Sequence, residues 1–456
     1  MKIVIEGAGE VGSHLAKMLS AEGGEITVID DDEARIAHIG STADVVAILS
    51  ECSCIETYRR VGVPKADLFI SVNPHKIQSV NMISAAIAKQ LGAKKVIARI
   101  SSEEYLSAAN KAVLSNLGID LMFFPEKIAS DEIIDMLRDT ASTESMDFAS
   151  GKLRLAVFKI DDETSPILDM NVIEIARSIA ELDPKAGFRI IAISRKGETI
   201  IPRSETKIKW GDHLYIISIR EGIDLIARFF GKSNNVISKV MILGGSEVGE
   251  MTAMRLSGMK LDSVKIIDIN KQRCRELSEI LPDEVDVVNG DGRNSDFLLE
   301  EGLKECDAFI AVAGDDEVNI LACVVARKFG VERVIAQVEN LEYVSLADEM
   351  GVDAVINKKL ITASRIFKFT LGDKVRFVRY MRGTDAEVME YTVAPGSPIT
   401  KHQLMDLDFP ADAIIGGVIR GSESFIAVGN THIEPYDRVA VFALPSATKA
   451  VDRFFK

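Results

Sequence analysis

Apolar residues along the chain alternate between short runs and helical stripes. Ile3, Val4 and Ile5 form a strand-like run that enters Gly7-Ala8-Gly9-Glu10-Val11-Gly12, and Val11, Leu15, Met18 and Leu19 then recur at helical spacing on one face. Gly23-Gly24 ends that helix, and a second strand runs over 25–29. Helix-like 32–39, strand-like 44–49, helix-like 55–61, strand-like 66–72, a helix over 79–91, a strand over 95–100 and a helix from Glu103 to Gly118 follow in order. Strands and helices alternating at this spacing predict a parallel, doubly wound sheet.

The same pattern then returns. Val240-Met-Ile-Leu-Gly244-Gly245-Ser246-Glu247-Val248-Gly249 overlays residues 3–12 with a shift of 237 (244 − 7 and 249 − 12). Asp30 meets Asp268, Asp67-Leu-Phe-Ile meets Asp307-Ala-Phe-Ile, Asn81 meets Asn319, Val96-Ile-Ala-Arg99 meets Val334-Ile-Ala-Gln337, and Gly118-Ile-Asp meets Gly351-Val-Asp. Matches in one order over this length mean a tandem duplication. Each copy is followed by short strand-like runs, over 153–160, 188–194, 198–202 and 213–219, then over 375–380, 387–393, 413–419, 424–427 and 438–442. Amphipathic stretches at 125–140 and 360–371 read as connecting helices. The fold expected is α/β: two tandem Rossmann-like doubly wound parallel-sheet domains at 1–124 and 238–356, connecting helices at 125–140 and 357–371, and small β-rich α+β domains at 141–231 and 372–456.

Composition narrows the class. The 456 residues are 47% apolar and 27% charged, with a net charge of −15, which suits a globular chain and opposes nonspecific binding to nucleic acid or anionic lipid. No run of about 18 apolar residues is present, so no direct membrane insertion is expected. Five scattered cysteines, at 52, 54, 274, 306 and 323, read as reduced thiols of a cytoplasmic protein. Cys52-x-Cys54 lacks a second pair at metal-ligand spacing and reads as small residues near a loop.

The glycine run carries the chemistry. In a strand–turn–helix, Gly7 permits the tight turn, Gly9 lets backbone approach a pyrophosphate, and Gly12 lets the helix pack closely. Phosphates then meet the N–H groups at the helix start. Asp30, eighteen residues after Gly12 at the end of the second strand, suits the ribose hydroxyls of NAD and repels a 2′-phosphate. Asn73 stands at the carboxyl end of the fourth strand, where ligands bind in open α/β sheets.

The order Gly-Ala-Gly-Glu-Val-Gly, Asp30, Ala66-Asp67, Asn81 and Ile97-Ala-Arg99, then a small β-rich domain and a second copy, resembles the peripheral NAD-binding subunits of Trk-type potassium uptake systems, built from tandem regulator-of-potassium-conductance units. That resemblance covers essentially the whole chain. It implies no enzyme but a cytoplasmic nucleotide sensor, peripheral on the inner face of the cell membrane through its partner, a membrane potassium-translocating subunit. Self-association to an even-numbered oligomer is expected. Its ligand would be NAD(H), or alternatively ATP or ADP. By resemblance Gly7, Ala8, Gly9, Glu10, Val11 and Gly12 hold the pyrophosphate, Asp30 the ribose, and Arg99 lies near the phosphates. Glu51 occupies the place of the family aspartate.

The second copy offers Gly244, Gly245, Ser246, Glu247, Val248, Gly249, Asp268 and Asp291 at the matching positions. It replaces the middle glycine with Ser246 and the arginine with Gln337, whereas the first has Ser50-Glu51 for Gly290-Asp291 and Pro74-His75-Lys76 for Gly314-Asp-Asp316. The first copy is therefore expected to be the better NAD site. The alternative reading is an NAD-dependent oxidoreductase acting on a small metabolite. For that reading His14 is expected on a helix surface, and the other histidines show no carboxylate partner at readable spacing.

Overall fold

The computed structural model describes residues 1–456 apart from 22, 74–77, 108, 111–115, 139–141, 149–150, 185, 220–221, 233–235, 371–374, 381–385 and 456. Two compact units comprise Met1–Asp131 with Asn357–Ile366, and Glu132–Ile356 with Phe367–Lys456.

In the first unit, strands β1 (Lys2–Glu6), β2 (Glu25–Asp30), β3 (Val46–Leu49), β4 (Leu68–Ser71), β5 (Lys95–Arg99) and β6 (Leu121–Phe123) form one sheet in the order β3-β2-β1-β4-β5-β6, every pairing parallel. Helices α1 (Glu10–Ala21), α2 (Glu33–Thr42), α3 (Ile55–Val61) and α4 (Gln78–Leu91) make the crossovers. Ile3, Val4 and Ile5 in β1 are buried throughout, the unbroken apolar run of a strand covered on both faces. Strand order reverses between β1 and β4, and the crevice at their carboxyl ends is the expected ligand position. Helix α5 (Pro125–Arg138) leaves the sheet after β6.

The second unit opens with β7 (Glu144–Phe148), β8 (Leu153–Lys159), α6 (Val172–Leu182), β9 (Phe188–Arg195), β10 (Glu198–Ile200), β11 (His213–Ile219) and α7 (Ile223–Phe229), the strands making an antiparallel sheet ordered β10-β9-β11-β8-β7. The second parallel sheet uses β12 (Lys239–Leu243), β13 (Ser263–Asp268), β14 (Val285–Asn289), β15 (Ala308–Ala311), β16 (Arg333–Gln337) and β17 (Ala354–Ile356), ordered β14-β13-β12-β15-β16-β17. Its helices are α8 (Glu247–Ser257), α9 (Lys271–Ile280), α10 (Ser295–Glu300), α11 (Asp316–Lys328) and α12 (Leu341–Glu349). Helix α13 (Lys358–Thr370) leads to β18 (Val375–Tyr380), β19 (Glu387–Thr392), β20 (Ala413–Arg420), β21 (Glu423–Ile426), β22 (Arg438–Ala443) and α14 (Pro445–Phe454), with sheet order β18-β19-β22-β20-β21. The chain is thus α/β with two tandem Rossmann-like sheets, each followed by an antiparallel one.

The two antiparallel sheets share a core in which Leu155, Val157, Tyr215 and Ile217 meet Val388, Ile419 and Phe442. Gly417 is forced by that approach, because a Cβ there would lie 2.6 Å from Leu153 Cδ1. The half-buried Arg189 donates through its guanidinium to the carbonyls of Ile415 and Ala427, at 3.3 and 2.7 Å.

Some elements differ from expectation. Helix α6 was not read from the sequence, although Asn171 and Glu174 form a reciprocal capping box and Ile175 and Ile179 are buried on one face. Strands β6 and β7 and helices α7 and α14 were not expected either. Where a helix from Glu103 was expected, a 3₁₀ turn covers Glu103–Leu106. The remainder lies partly outside the described residues, as do Pro74, His75 and Lys76.

Candidate functional site

The glycine loop of the first sheet leaves β1 with Gly7 at φ +105°, a backbone state that disfavours any side chain. A Cβ on Gly7 would also stand 2.9 Å from the Asn73 nitrogen. One on Gly12 would lie 1.8 Å from the Gly7 carbonyl oxygen, so it is the loop's own carbonyl that demands glycine at the start of α1. Gly9 is different, since a Cβ there would meet nothing within 4 Å. The loop is open at this point.

Asp30 is 1% exposed and fixes this loop from β2. Its Oδ2 accepts the Ala8 N–H at 2.6 Å and its Oδ1 accepts the Asp32 N–H at 2.9 Å, with the Arg35 guanidinium 3.8 Å away. Each carboxylate oxygen has two lone pairs, so a ribose hydroxyl can share it with the backbone donor. Glu51 is exposed in the β3–α3 turn, and Ser50 N–H in the same turn donates to the Asp30 carbonyl at 3.0 Å. Asn73 is buried at the mouth of β4, held by Asn81, whose Oδ1 accepts the Asn73 N–H at 2.9 Å.

Arg99 does not stand open toward a ligand. It is 12% exposed and donates to Glu126 Oε1 at 3.0 Å, at the start of α5, with the Lys358 ammonium 4.0 Å from the same oxygen. Lys359 reaches Glu10 at 3.5 Å, on the first turn of α1. Those two lysines come from the start of α13 and belong to the first unit, a placement no local spacing discloses. His14, expected on a surface, is half-buried, and its Nε2 has no hydrogen-bond partner among the described residues. Burial, then Lys359 and Lys17, hold its pKa below the ordinary value. His213, for which no carboxylate stood at a readable spacing, lies 3.4 Å from the sequence-distant Asp348.

Sequence reasoning passed over Glu6, which is fully buried at the end of β1. Its Oε1 accepts the Tyr58 hydroxyl at 2.5 Å and the Ser53 N–H at 2.9 Å; its Oε2 accepts Ser71 Oγ at 2.9 Å and Asn73 Nδ2 at 3.3 Å. The signal was present: a charged residue closing an apolar strand, where the repeat has Leu243.

At the second sheet the loop frame recurs but its surroundings do not. Gly244 has φ +109°, and Asp268 accepts the Gly245 and Asn270 N–H groups at 2.6 and 2.7 Å. Ser246 Oγ donates to the Val312 carbonyl just past β15 at 2.7 Å and caps α8 by accepting the Gly249 N–H at 3.3 Å. Arg273 donates through Nε to the Gly245 carbonyl at 2.6 Å and through Nη2 to Glu250 at 2.5 Å. Its Cγ would lie 3.3 Å from a Cβ on Gly245, so this side chain covers the loop. Glu247 and Val248 follow in the first turn of α8, and Gly249 again packs against the loop carbonyl. Asp291 is taken up by Arg293, whose hydrogen bonds hold its pKa down at about 2. Gln337, in the place of Arg99, donates to Glu339 at 3.1 Å.

Residues 3–125 and 240–358 match the TrkA-N domain family, and residues 173–231 and 388–456 match the TrkA-C domain family. Those stretches cover more than half of the chain. The chain belongs to the TrkA family. It is 32% identical, over the full length of both chains, to the Trk system potassium uptake protein TrkA homolog of Archaeoglobus fulgidus. The Trk system potassium uptake protein TrkA homolog 1 of Methanosarcina mazei is 30% identical, again over all of both chains. Among solved structures, the GsuK RCK domain superposes with a TM-score of 0.62 at 15% identity, covering 100% of this chain and 94% of that one. The GsuK channel bound to NAD gives 0.62 at 16% identity, covering 100% and 78%. At such identities the superpositions establish the fold. Among the described residues no helix is long and apolar enough to cross a membrane.

Proposed function

We propose that this TrkA-family chain is a regulatory subunit that binds NAD(H) at the mouth of its first parallel sheet and gates a membrane potassium-translocating partner. The observation that carries the reading is the open approach at Gly9 beside Asp30, in a chain whose full-length relatives are named potassium uptake proteins. Gly7, Ala8, Gly9, Glu10, Val11 and Gly12 would hold the pyrophosphate against the first turn of α1, and Asp30 the adenosine ribose. Asn73, Glu51 and Arg99 border that cleft. Gly244 to Gly249, Asp268 and Asp291 form the weaker second site, and ADP or ATP share the adenosine diphosphate that either loop would recognise.

The protein acts by binding rather than by turnover. Nucleotide shifts the partner only by its differential affinity for two assembly states, typically about 1–3 kcal/mol, or roughly 5–150-fold. The chain works on the cytoplasmic face as an even-numbered assembly held there by its partner. The test is potassium flux into vesicles carrying a Trk-type membrane subunit, with the chain added alone or with NADH, NAD, ADP or ATP. Flux that changes with nucleotide supports the proposal. Flux indifferent to the chain and to every nucleotide sinks it, and sustained NADH consumption by a metabolite pool would favour an oxidoreductase instead.

A further inference from the structure

The turn that follows β3, residues 50–54, borders the adenosine side of the first cleft, since its Ser50 N–H is bonded to the carbonyl of Asp30. Within it Ser53 has φ +61°, a left-handed state that non-glycine residues rarely adopt and that persists only where surrounding bonds impose it. Two bonds do so: Ser53 N–H to Glu6 Oε1 at 2.9 Å, and Ser53 Oγ to Ser84 Oγ at 2.8 Å. Glu6 also holds Tyr58, on the helix the turn leads into, and through its other oxygen Ser71 and Asn73 at the mouth of β4. Cys52, in the same turn, donates to Asn73 Oδ1 at 3.4 Å. One carboxylate therefore ties both banks of the cleft, directly beneath the glycine loop that rests on Asn73.

The second half shows that the fold does not require this device. Glu6 pairs with Ser71 across β1 and β4, and the same register sets Leu243 beside Ala311. Tyr58, Asn73 and Ser84 become Leu298, Ala313 and Ala322, so the whole polar set is exchanged together. The corresponding turn is held by glycines packed on apolar side chains: a Cβ on Gly290 would lie 2.0 Å from Phe297 Cζ, and one on Gly292 would lie 2.1 Å from Leu243 Cδ1.

We propose that Glu6 is a positioning residue for the nucleotide, its carboxylate holding the 50–54 turn at left-handed Ser53 in the shape that receives the adenosine end of NAD(H) or ADP. The inference rests on the nucleotide-binding reading above. Glu6 itself touches no ligand.

The experiment is calorimetric titration of the full chain with NADH, ADP and nicotinamide mononucleotide, with amide hydrogen exchange on the same samples. Wild type is compared with Glu6→Gln and with Glu6→Gln combined with Ser53→Gly. Glu6→Gln replaces one acceptor oxygen by an amide and should weaken NADH and ADP alike by about tenfold, leaving the mononucleotide unaffected. Exchange should rise at 50–54 while β1 and β4 stay protected. Ser53→Gly should restore most of the affinity, because glycine takes φ +61° without side-chain strain. Affinity within about twofold of wild type overturns the proposal. So does loss of affinity that parallels lost protection across the whole sheet and is not restored by glycine. Should Glu6→Gln fail to fold, Tyr58→Phe removes one hydroxyl and keeps the ring. It should then weaken both ligands by about threefold, and no change would overturn the proposal. Wild type that binds no nucleotide sinks the binding reading itself, whereas tight wild-type binding indifferent to Glu6 sinks this inference alone.

Discussion

At the mouth of the first sheet the turn after β3 is tied to the buried Glu6 carboxylate and the glycine loop faces open space at Gly9; at the second the turn after β14 packs on Leu243 and the loop lies under Arg273. The backbone frame is common to both, with the same strand order, the same left-handed first glycine and the same aspartate bonded to the residue after it. What differs is the filling. Under the nucleotide-binding proposal, the shared Rossmann-like frame sets the position of each cleft, and the side chains around the loop and its neighbouring turn set the difference between the two. The second half reads as a frame closed over by its own side chains. Ser246 takes up a helix N–H and Arg273 covers the carbonyl of the loop.

The largest expected effect comes from filling the open position. A Cβ at position 9 meets no atom within 4 Å, so with Gly9→Ala stability should hold while NADH affinity falls by about a hundredfold, the loss of two charge-assisted bonds to phosphate. Calorimetry with a melting curve separates the two. An unchanged affinity would break the comparison at its centre. Gly12→Ala should instead cost stability, about 2–3 kcal/mol, because the Gly7 carbonyl must move, and Gly249→Ala should cost a similar amount in the second half. Chemical denaturation of both variants checks that the frame is shared. Uncovering the second loop is a milder change. Arg273→Ala should raise affinity there by about three- to tenfold, read as a second calorimetric site.

How much of this was legible follows from what each feature depends on. The tandem parallel sheets could be read because unbroken apolar strands and glycine turns are local patterns, repeated with one shift. The positions of Asp30 and Asn73 followed from strand ends. Arg99 was placed near phosphates by resemblance, and its ion pair with Glu126 depends on how α5 leaves the sheet. Lys359 on Glu10 joins residues from opposite ends of the duplication, and Asp348 beside His213 likewise joins separate domains of the second unit. Spacing carries none of these. Glu6 was visible as a charge in an apolar strand, yet its meaning required Tyr58, Ser53, Ser71 and Asn73 to converge.

Two smaller effects sharpen the contrast. Burial, followed by the charges of Glu6, Asp31 and Asp30, pushes the Cys52 thiol up to about 12, whereas a hydrogen bond from Thr57 lowers that of the neighbouring Cys54. Alkylation near pH 8 should therefore modify Cys54 at least about tenfold faster than Cys52, followed by peptide mass mapping. Equal rates would mean that the Glu6 network is open to solvent. The smallest effect lies away from both clefts. Burial raises the Asp348 pKa, but bonds and charge from His213 and Lys159 outweigh it and hold the carboxyl at about 2. Its contribution is then complete above the ordinary carboxylate range, near pH 4, and disappears as pH falls toward 2. Because the side chain is 38% exposed, Asp348→Asn should cost only about 0.5 kcal/mol at pH 7, with NADH affinity unchanged.

The central claim is that the two frames are unequal because of their fillings, and NADH titration of wild type, Asp30→Ala and Asp268→Ala tests it most directly. The expected result is one dominant site per chain, abolished by Asp30→Ala and kept within about twofold by Asp268→Ala. Two equivalent sites, or a dominant site lost with Asp268→Ala and kept with Asp30→Ala, would contradict it.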